Sequence, residues 1–289
     1  MVGTLLFSIT AAMFKWIGQD LHVSQILFIR QLVMLLAVMP LIIRNFPEVL
    51  KTRSPSLQGA RIFFTLIAMT CGFTAVVNLP LAQVTSLTFS KTFFLTIFAI
   101  IFLNETVGAR RWGAIIAGFV GVLVMILPGN DLGNFDIYAG LAIISAAAMG
   151  LVAIILRKLT QVDSPVTILT YQAVAIALIM AIPAHHYWVT PDLNHWALLV
   201  VLGVLTTLAQ TTMLRAFKVG EPTAIASLDY IRLLFATAWG VVIFGEWPDR
   251  YTYMGAAIII CASLYVVHRE AKMGRAIARS PSGRGSSQI

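Results

Sequence analysis

Ten runs of predominantly apolar residues, most of them close to twenty residues long, leave this chain few architectures to choose from. They fall at roughly 1–17, 23–44, 58–78, 79–102, 109–127, 137–156, 165–185, 195–217, 221–244 and 251–268. A helix of about twenty such residues crosses the roughly 30 Å of hydrocarbon in a bilayer. Membrane-spanning β-strands would show segments of about ten residues with strict alternation, whereas these runs are continuous and rich in Leu, Ile, Ala and Phe. With 59% hydrophobic and 11% charged residues, the composition lies far outside the soluble globular range. An all-α polytopic membrane protein with ten transmembrane helices is expected.

Charges outside the runs or near their ends set the orientation. With the amino terminus inside, fifteen cations collect on the cytoplasmic side: Arg44, Lys51, Arg53, Arg61, Arg110, Arg111, Arg157, Lys158, Arg215 and Lys218, then Arg269, Lys272, Arg275, Arg279 and Arg284 in the tail. Lys15 and Arg250 fall on the outer side. Under the positive-inside rule this imbalance puts both termini in the cytoplasm. The formal net charge of +8 is then a topology signal, and no nucleic-acid partner is expected. Arg30, Lys91 and Arg232 remain, all inside apolar runs. A charge in hydrocarbon is costly and usually functional.

Two of these cations occupy equivalent places. An offset of 141 residues lays Leu-Thr-Phe-Ser-Lys91 over Leu-Asp-Tyr-Ile-Arg232, and Phe-Leu-Asn-Glu105 over Ile-Phe-Gly-Glu246. It also lays His22 to Gln31 over Asp163 to Gln172, each with an extended entry into a helix. The repeat unit is five helices, an odd number, so the two halves are expected to insert in opposite orientations. Many secondary transporters share this inverted plan, with the substrate site near the midplane at the repeat interface. The expected domains are a first five-helix repeat over 1–130, a second over 137–268 and a disordered basic cytoplasmic tail over 269–289. Lys91 and Arg232, each near the middle of its helix, then arrive at similar depth and can face one cavity.

Other chemistries find little footing. Cys71 and Cys261 lie within apolar runs, which argues against a disulfide framework or a zinc site. His185, His186 and His195 crowd one outer loop, but no carboxylate or further His is placed to complete a metal site. Beside Tyr187, Trp188 and Trp196 they fit an interfacial aromatic belt, and no metal is expected. Nothing resembles a phosphate loop, a nucleophile elbow or a metalloprotease helix. An intramembrane enzyme would need a catalytic dyad or metal cluster, and the one polar pair at depth is Asp229 with Arg232. Neither enzyme activity nor a cofactor is expected. The first run lacks a charged start and a small-residue cleavage site, so it does not read as a cleavable signal peptide; its brevity fits a slightly truncated start.

These residues also carry a family resemblance. The chain resembles the drug/metabolite transporter superfamily, in its ten-helix EamA-type branch, over nearly its whole length. The motifs are Phe28-Ile-Arg30-Gln, Pro80-Leu-Ala-Gln, Phe102-Leu-Asn-Glu105, Arg110-Arg111-Trp112-Gly113 and Gly118-Phe-Val-Gly-Val in the first half. In the second half they are Arg215-Ala-Phe-Lys, Asp229-Tyr-Ile-Arg232 and Phe244-Gly-Glu246-Trp-Pro-Asp. Within the superfamily the chain looks most like the group containing S-adenosylmethionine transporters and related bacterial metabolite carriers. Those members often have Pro near the place of Ser227, a point where this chain departs. The resemblance implies two inverted five-helix bundles around a central cavity in a bacterial inner membrane.

In such a cavity Lys91 and Arg232 would draw in a carboxylate or phosphate, Arg as a bidentate donor and Lys as a point charge. Asp229 lies three residues before Arg232 on the same helical face; it either neutralises that cation or, raised in pKa by burial, carries a proton. Lys91 has no acid in its own segment. Arg30 is placed on the pathway by the family motif, with snorkelling to the interface as the alternative. Phe89, Tyr230 and Trp239 are candidates to stack on a substrate ring or cation. Gln172, like Gln83 and Gln210, either touches substrate or hydrogen-bonds between helices. Glu105 and Glu246 close their runs at opposite faces and are expected to anchor there or to pair with Arg110 or Arg250. Gly113, Gly118, Gly121, Gly255, Ala256 and Ala257 allow close packing, within the fold or in a homodimer. The expected function is a carrier that moves a small anionic or zwitterionic metabolite by alternating access, with a channel or a non-transporting scaffold as the alternative.

Overall fold

Hydrocarbon offers no hydrogen bonds, so each backbone N–H and C=O in a spanning segment must be satisfied within the chain. The computed structural model describes residues 2–103, 109–126, 136–219 and 231–279, and all regular structure among them is helical. The first half contains α1 (Val2–Ile17), α2 (Val23–Arg44), α3 (Pro55–Asn78), α4 (Leu81–Thr88), α5 (Lys91–Leu103) and α6 (Ala109–Ile126). The second contains α7 (Ile137–Leu159), α8 (Pro165–His186), α9 (Leu193–Val219), α10 (Ile231–Phe244) and α11 (Arg250–Arg279). Among the described residues six stretches are long and apolar enough to cross a membrane, one of them Leu81–Phe102 through α4 and α5. Leu5–Ile17, Ile115–Val124 and Arg232–Phe244 are shorter apolar helices. Ile182 is 78% exposed while Arg30 is 2% exposed, the reverse of the usual distribution in water. This is a polytopic membrane protein.

The 141-residue offset survives in the helix boundaries. It carries α2 onto 164–185, α3 onto 196–219 and α6 onto 250–267, within a few residues of α8, α9 and the start of α11. Both α2 and α8 begin from an extended capping residue: His22 accepts from the Ser24 N–H, and Ser164 accepts from the Thr167 N–H at 3.1 Å. Each bond satisfies an otherwise orphaned amide. The two helices run antiparallel. Gln25, near the start of α2, exchanges hydrogen bonds of 2.7 and 3.1 Å with the Val189 backbone beyond the end of α8. Tyr171, in the first turns of α8, donates to the Leu50 carbonyl beyond the end of α2 at 2.7 Å.

The fourth apolar run departs from the single helix expected of it. It is interrupted at Phe89–Ser90, so Lys91 is the first residue of α5 rather than the middle of a continuous helix. The amides of Phe89, Ser90, Thr92 and Phe93 reach back three residues instead of four, the tighter pattern that marks a hinge or strain inside a helix. Local chemistry favours the break. Ser86, Thr88 and Thr96 each donate a hydroxyl to the carbonyl four residues earlier, a competition with backbone bonding that bends helices. At the other end of the chain α11 continues to Arg279, so Arg269, Lys272 and Arg275 lie on a helix where the sequence suggested the start of a disordered tail.

Packing brings α3 against α7, α6 against α11, α2 against α8 and α9, α1 against α9 and α10, and α4 against α7, α10 and α11. One apolar cluster centres on Phe89 and Phe93; a second joins Phe14, Ile26, Ile176 and Leu199. Glycines mark the closest crossings. A Cβ on Gly150 of α7 would lie 3.0 Å from the Leu95 nitrogen and 3.3 Å from the Lys91 carbonyl, so its absence seats α7 on the first turn of α5. A Cβ on Gly121 would lie 3.0 Å from the Gly255 carbonyl, which places the expected small-residue packing inside the fold, between α6 and α11. Gly113 would meet nothing within 4 Å.

Asp163 ties the two halves together at the end where α7 meets α8. It accepts from Thr52 Oγ1 at 2.5 Å, the Arg53 N–H at 3.0 Å and Gln58 Nε2 at 3.0 Å. Burial alone would push its carboxyl up, but these three bonds and the Arg53 charge outweigh it and hold the group below the usual carboxylate range. A lowered folded-state pKa contributes stability above the unfolded value of about 3.9, and that stability is lost as pH falls through the folded value. Asp163→Asn should therefore lower the unfolding temperature at pH 7 and flatten its further decline below about pH 4. In the same assay Gly150→Val should destabilise by about 1–3 kcal/mol through overpacking. Gly59→Ala, which meets no atom within 4 Å, should be neutral or slightly stabilising.

Candidate functional site

The residues singled out in the sequence separate into two regions. Phe89 is buried at the end of α4 in the same apolar cluster against which Trp239 of α10 packs. The Trp239 indole N–H donates to Ser8 Oγ of α1 at 3.1 Å, so its polar edge faces α1 rather than an open space. Lys91 follows Phe89 by two residues and is half-buried, as is Arg232 at the second position of α10. Both make contacts with other groups of the chain, and α4, which ends just before Lys91, packs directly on the α10 that carries Arg232. Asp229 and Tyr230 lie outside the described residues.

Arg30 and Gln172 lie elsewhere, on α2 and α8 where these pack around α3. Arg30 is fully enclosed: Nη2 reaches Met69 Sδ at 3.2 Å and the guanidinium stands 4.8 Å from the Phe73 ring centroid. It does not snorkel. Gln172 accepts from Arg61 Nη2 at 2.6 Å through Oε1, and its Nε2 lies 3.4 Å from Gln210 Oε1. That amide therefore bridges α3, α8 and α9. Arg61 itself is a correction to the charge count: it is 4% exposed inside α3 and donates to the Ile168 carbonyl at 3.1 Å, so it is an interior cation and not a loop charge. In the structure Gln58, Arg61, Thr65, Ala68 and Ala75 fall on one buried stripe of α3.

Lys15 is the second correction. Expected as an outer-surface charge, it is 4% exposed. It forms an ion pair with Glu246, donates to the Leu79 carbonyl at 2.6 Å and stands 5.3 Å from the Phe244 ring. Glu246 also accepts from the Leu81 N–H at 3.1 Å. The cation thus meets the carboxyl end of α3 and the anion the amino end of α4, the sign that each helix dipole favours. Gly245 delivers the carboxylate: at φ +66° its N–H bonds the Val241 carbonyl as an αL cap, and the chain turns back toward α1. Arg250, offered by sequence proximity as a partner for Glu246, instead contacts Tyr251 at 3.0 Å. Glu105 lies outside the described residues.

At the same end His195 lies 2.6 Å from Asp192, three residues before it, and 3.1 Å from Asp20 of the α1–α2 connection. No group of three or more His, Cys, Asp or Glu among the described residues is arranged to hold a metal ion. Breaking a buried ion pair from one side leaves the other charge uncompensated, at a cost of about 3 kcal/mol. Lys15→Met and Glu246→Gln should each lower unfolding free energy by about that amount, and the double variant should lose much less than the sum. Simple additivity in the double-mutant cycle would show that the two side chains act independently.

Comparison with known proteins agrees with a membrane transporter of small metabolites rather than an enzyme. Over 280 residues the chain is 32% identical to the S-adenosylmethionine uptake transporter of Rickettsia bellii, with 94% of each chain covered. It is 26% identical over 265 residues to the pseudopaline exporter of Pseudomonas aeruginosa, covering 91% of this chain and 92% of that one. A protein crystal structure at 16% identity shares the fold with a TM-score of 0.64, over 94% of this chain and 98% of the other. Residues 1–127 and 136–268 match the EamA-like transporter family, and the chain therefore belongs to that family, within the drug/metabolite transporter superfamily.

Proposed function

We propose that this chain is a secondary carrier that moves a small anionic or zwitterionic metabolite, amino-acid-like or S-adenosylmethionine-like, across the bacterial inner membrane by alternating access. Its frame is ten transmembrane helices in two inverted five-helix repeats, 1–130 and 137–268, with both termini in the cytoplasm. The observation that carries this reading is the antiparallel pairing of α2 with α8, helices that the 141-residue offset makes equivalent. Packing supports it further: the offset exchanges α3 on α7 with α9 on α1, and returns α2 on α8 and α6 on α11 to themselves. Halves related in this way can rock about a site between them and expose it to one side at a time.

Lys91 and Arg232 are the proposed cations of that site, with Phe89, Trp239, Tyr230 and Asp229 around them. Lys91 stands at the first residue of α5, where a helix starts inside an apolar run; half-helix amino termini of this kind favour anionic substrate groups. The Lys15–Glu246 pair joins α1 and the α3–α4 corner to the α10–α11 turn, so opening that end requires the pair to part. The names of the relatives give S-adenosylmethionine as the first probe, since it carries a carboxylate and cationic groups together. In proteoliposomes, trans-loaded S-adenosylmethionine or a bacterial metabolite extract should accelerate uptake of labelled material. Lys91→Ala with Arg232→Ala should reduce exchange at least tenfold. Normal exchange by the double variant removes the central cations from the mechanism, and flux without trans-stimulation indicates a channel.

A further inference from the structure

Two guanidinium groups lie in the interior with no acid beside them among the described residues. Arg30 is bounded by a thioether and an aromatic face, Arg61 by a carbonyl and an amide oxygen. The Nε of each is buried without a hydrogen-bond partner. A guanidinium has five donors and a charge that does not titrate away, and these neutral neighbours leave the Nε donor of each group unsatisfied. Buried charge without counter-charge is among the most costly arrangements in an apolar interior.

Their placement is ordered along one helix. Arg61, Thr65, Met69 and Phe73 recur every fourth residue, which puts them on one face of α3. Arg61 and Met69, the residue onto which Arg30 folds, are separated by about 12 Å of axial rise. Between them Thr65 is buried, and its hydroxyl has no partner. Helical threonines of this chain commonly return the hydroxyl to the carbonyl four residues earlier, as Thr88, Thr170 and Thr207 do. Thr65 does not. Packing over Phe73 accounts for the position of Arg30, and a tie to α8 accounts for that of Arg61. Neither accounts for the absence, among the described residues, of an acid beside either arginine, with an idle hydroxyl between them.

We propose that Arg30 of α2, with Thr65 and Arg61 of α3, forms a site for one small oxyanion, a carboxylate or phosphate, distinct from the Lys91 and Arg232 pair. Gln172 holds Arg61 in place through Oε1. The oxyanion is either the acidic group of the transported molecule, which rests on the carrier reading, or a free anion that neutralises the two arginines. Both sources share the chemistry of bidentate guanidinium recognition.

The test uses the full chain in lipid nanodiscs, with sodium phosphate and sodium succinate titrated against sodium chloride at fixed ionic strength. Phosphate or succinate should raise the unfolding midpoint saturably. The rise should persist in Lys91→Ala with Arg232→Ala, which removes the other proposed anion site; in that background it should vanish on adding Arg30→Gln or Arg61→Gln and require about tenfold more anion with Thr65→Val. If the arginine variants fail to fold, Thr65→Val, which removes one hydroxyl at nearly constant volume, decides the matter. No saturable rise in the unaltered chain, or the same rise in the folded site variants, overturns the proposal; loss in the Lys91 and Arg232 variant overturns the separateness of the site. Competition between phosphate and S-adenosylmethionine in counterflow assigns the oxyanion to the substrate, whereas anion binding without competition assigns a free ion. Anion binding without any counterflow keeps this site and rejects the carrier reading.

Discussion

Hydrocarbon supplies no counter-charge and no hydrogen bond, and the interior of this protein is organised around that shortage. Each interior cation is held by a different solution. Lys15 has a carboxylate and a helix-terminal carbonyl; Arg61 has two neutral oxygens on α8; Arg30 has sulfur and an aromatic face. The first is the most complete, and it joins α1 and the α3–α4 corner to the α10–α11 turn. The other two leave donors unused, which is tolerable only where something else meets them or where stability is given up for function.

Helix interruption and polarity fall in the same place. The segment before Lys91 is rich in hydroxyls that bond back along the helix, and the α4–α5 break falls there. A glycine at position 150 then lets α7 close over that break.

Much of the architecture could be read from residue order. Apolar runs located the helices, and the repeat offset anticipated boundaries of α2, α3 and α6 against α8, α9 and α11. Arg30 was legible as interior because it sits inside such a run. Arg61 and Lys15 were not, because each lies near the end of its helix, where a long cation usually reaches water. Their burial depends on α8, and on the α3–α4 corner and Glu246, groups brought to them from at least 64 residues away. The partner of Glu246 was missed for the same reason: Arg250 is near in sequence, but the αL turn at Gly245 aims the carboxylate at α1.

The sequence by itself determined that the chain is helical and that it belongs in a membrane, since both follow from local hydropathy. Tertiary structure alone decided which cations are interior and what each one meets. It set Gln172 as a bridge between helices, enclosed Arg30 against α3 and joined Lys15 to a carboxylate 231 residues away. The physical reason is that periodicity is carried by a few turns of chain, whereas neutralising a buried charge is a relation between segments that only folding brings within about 3 Å.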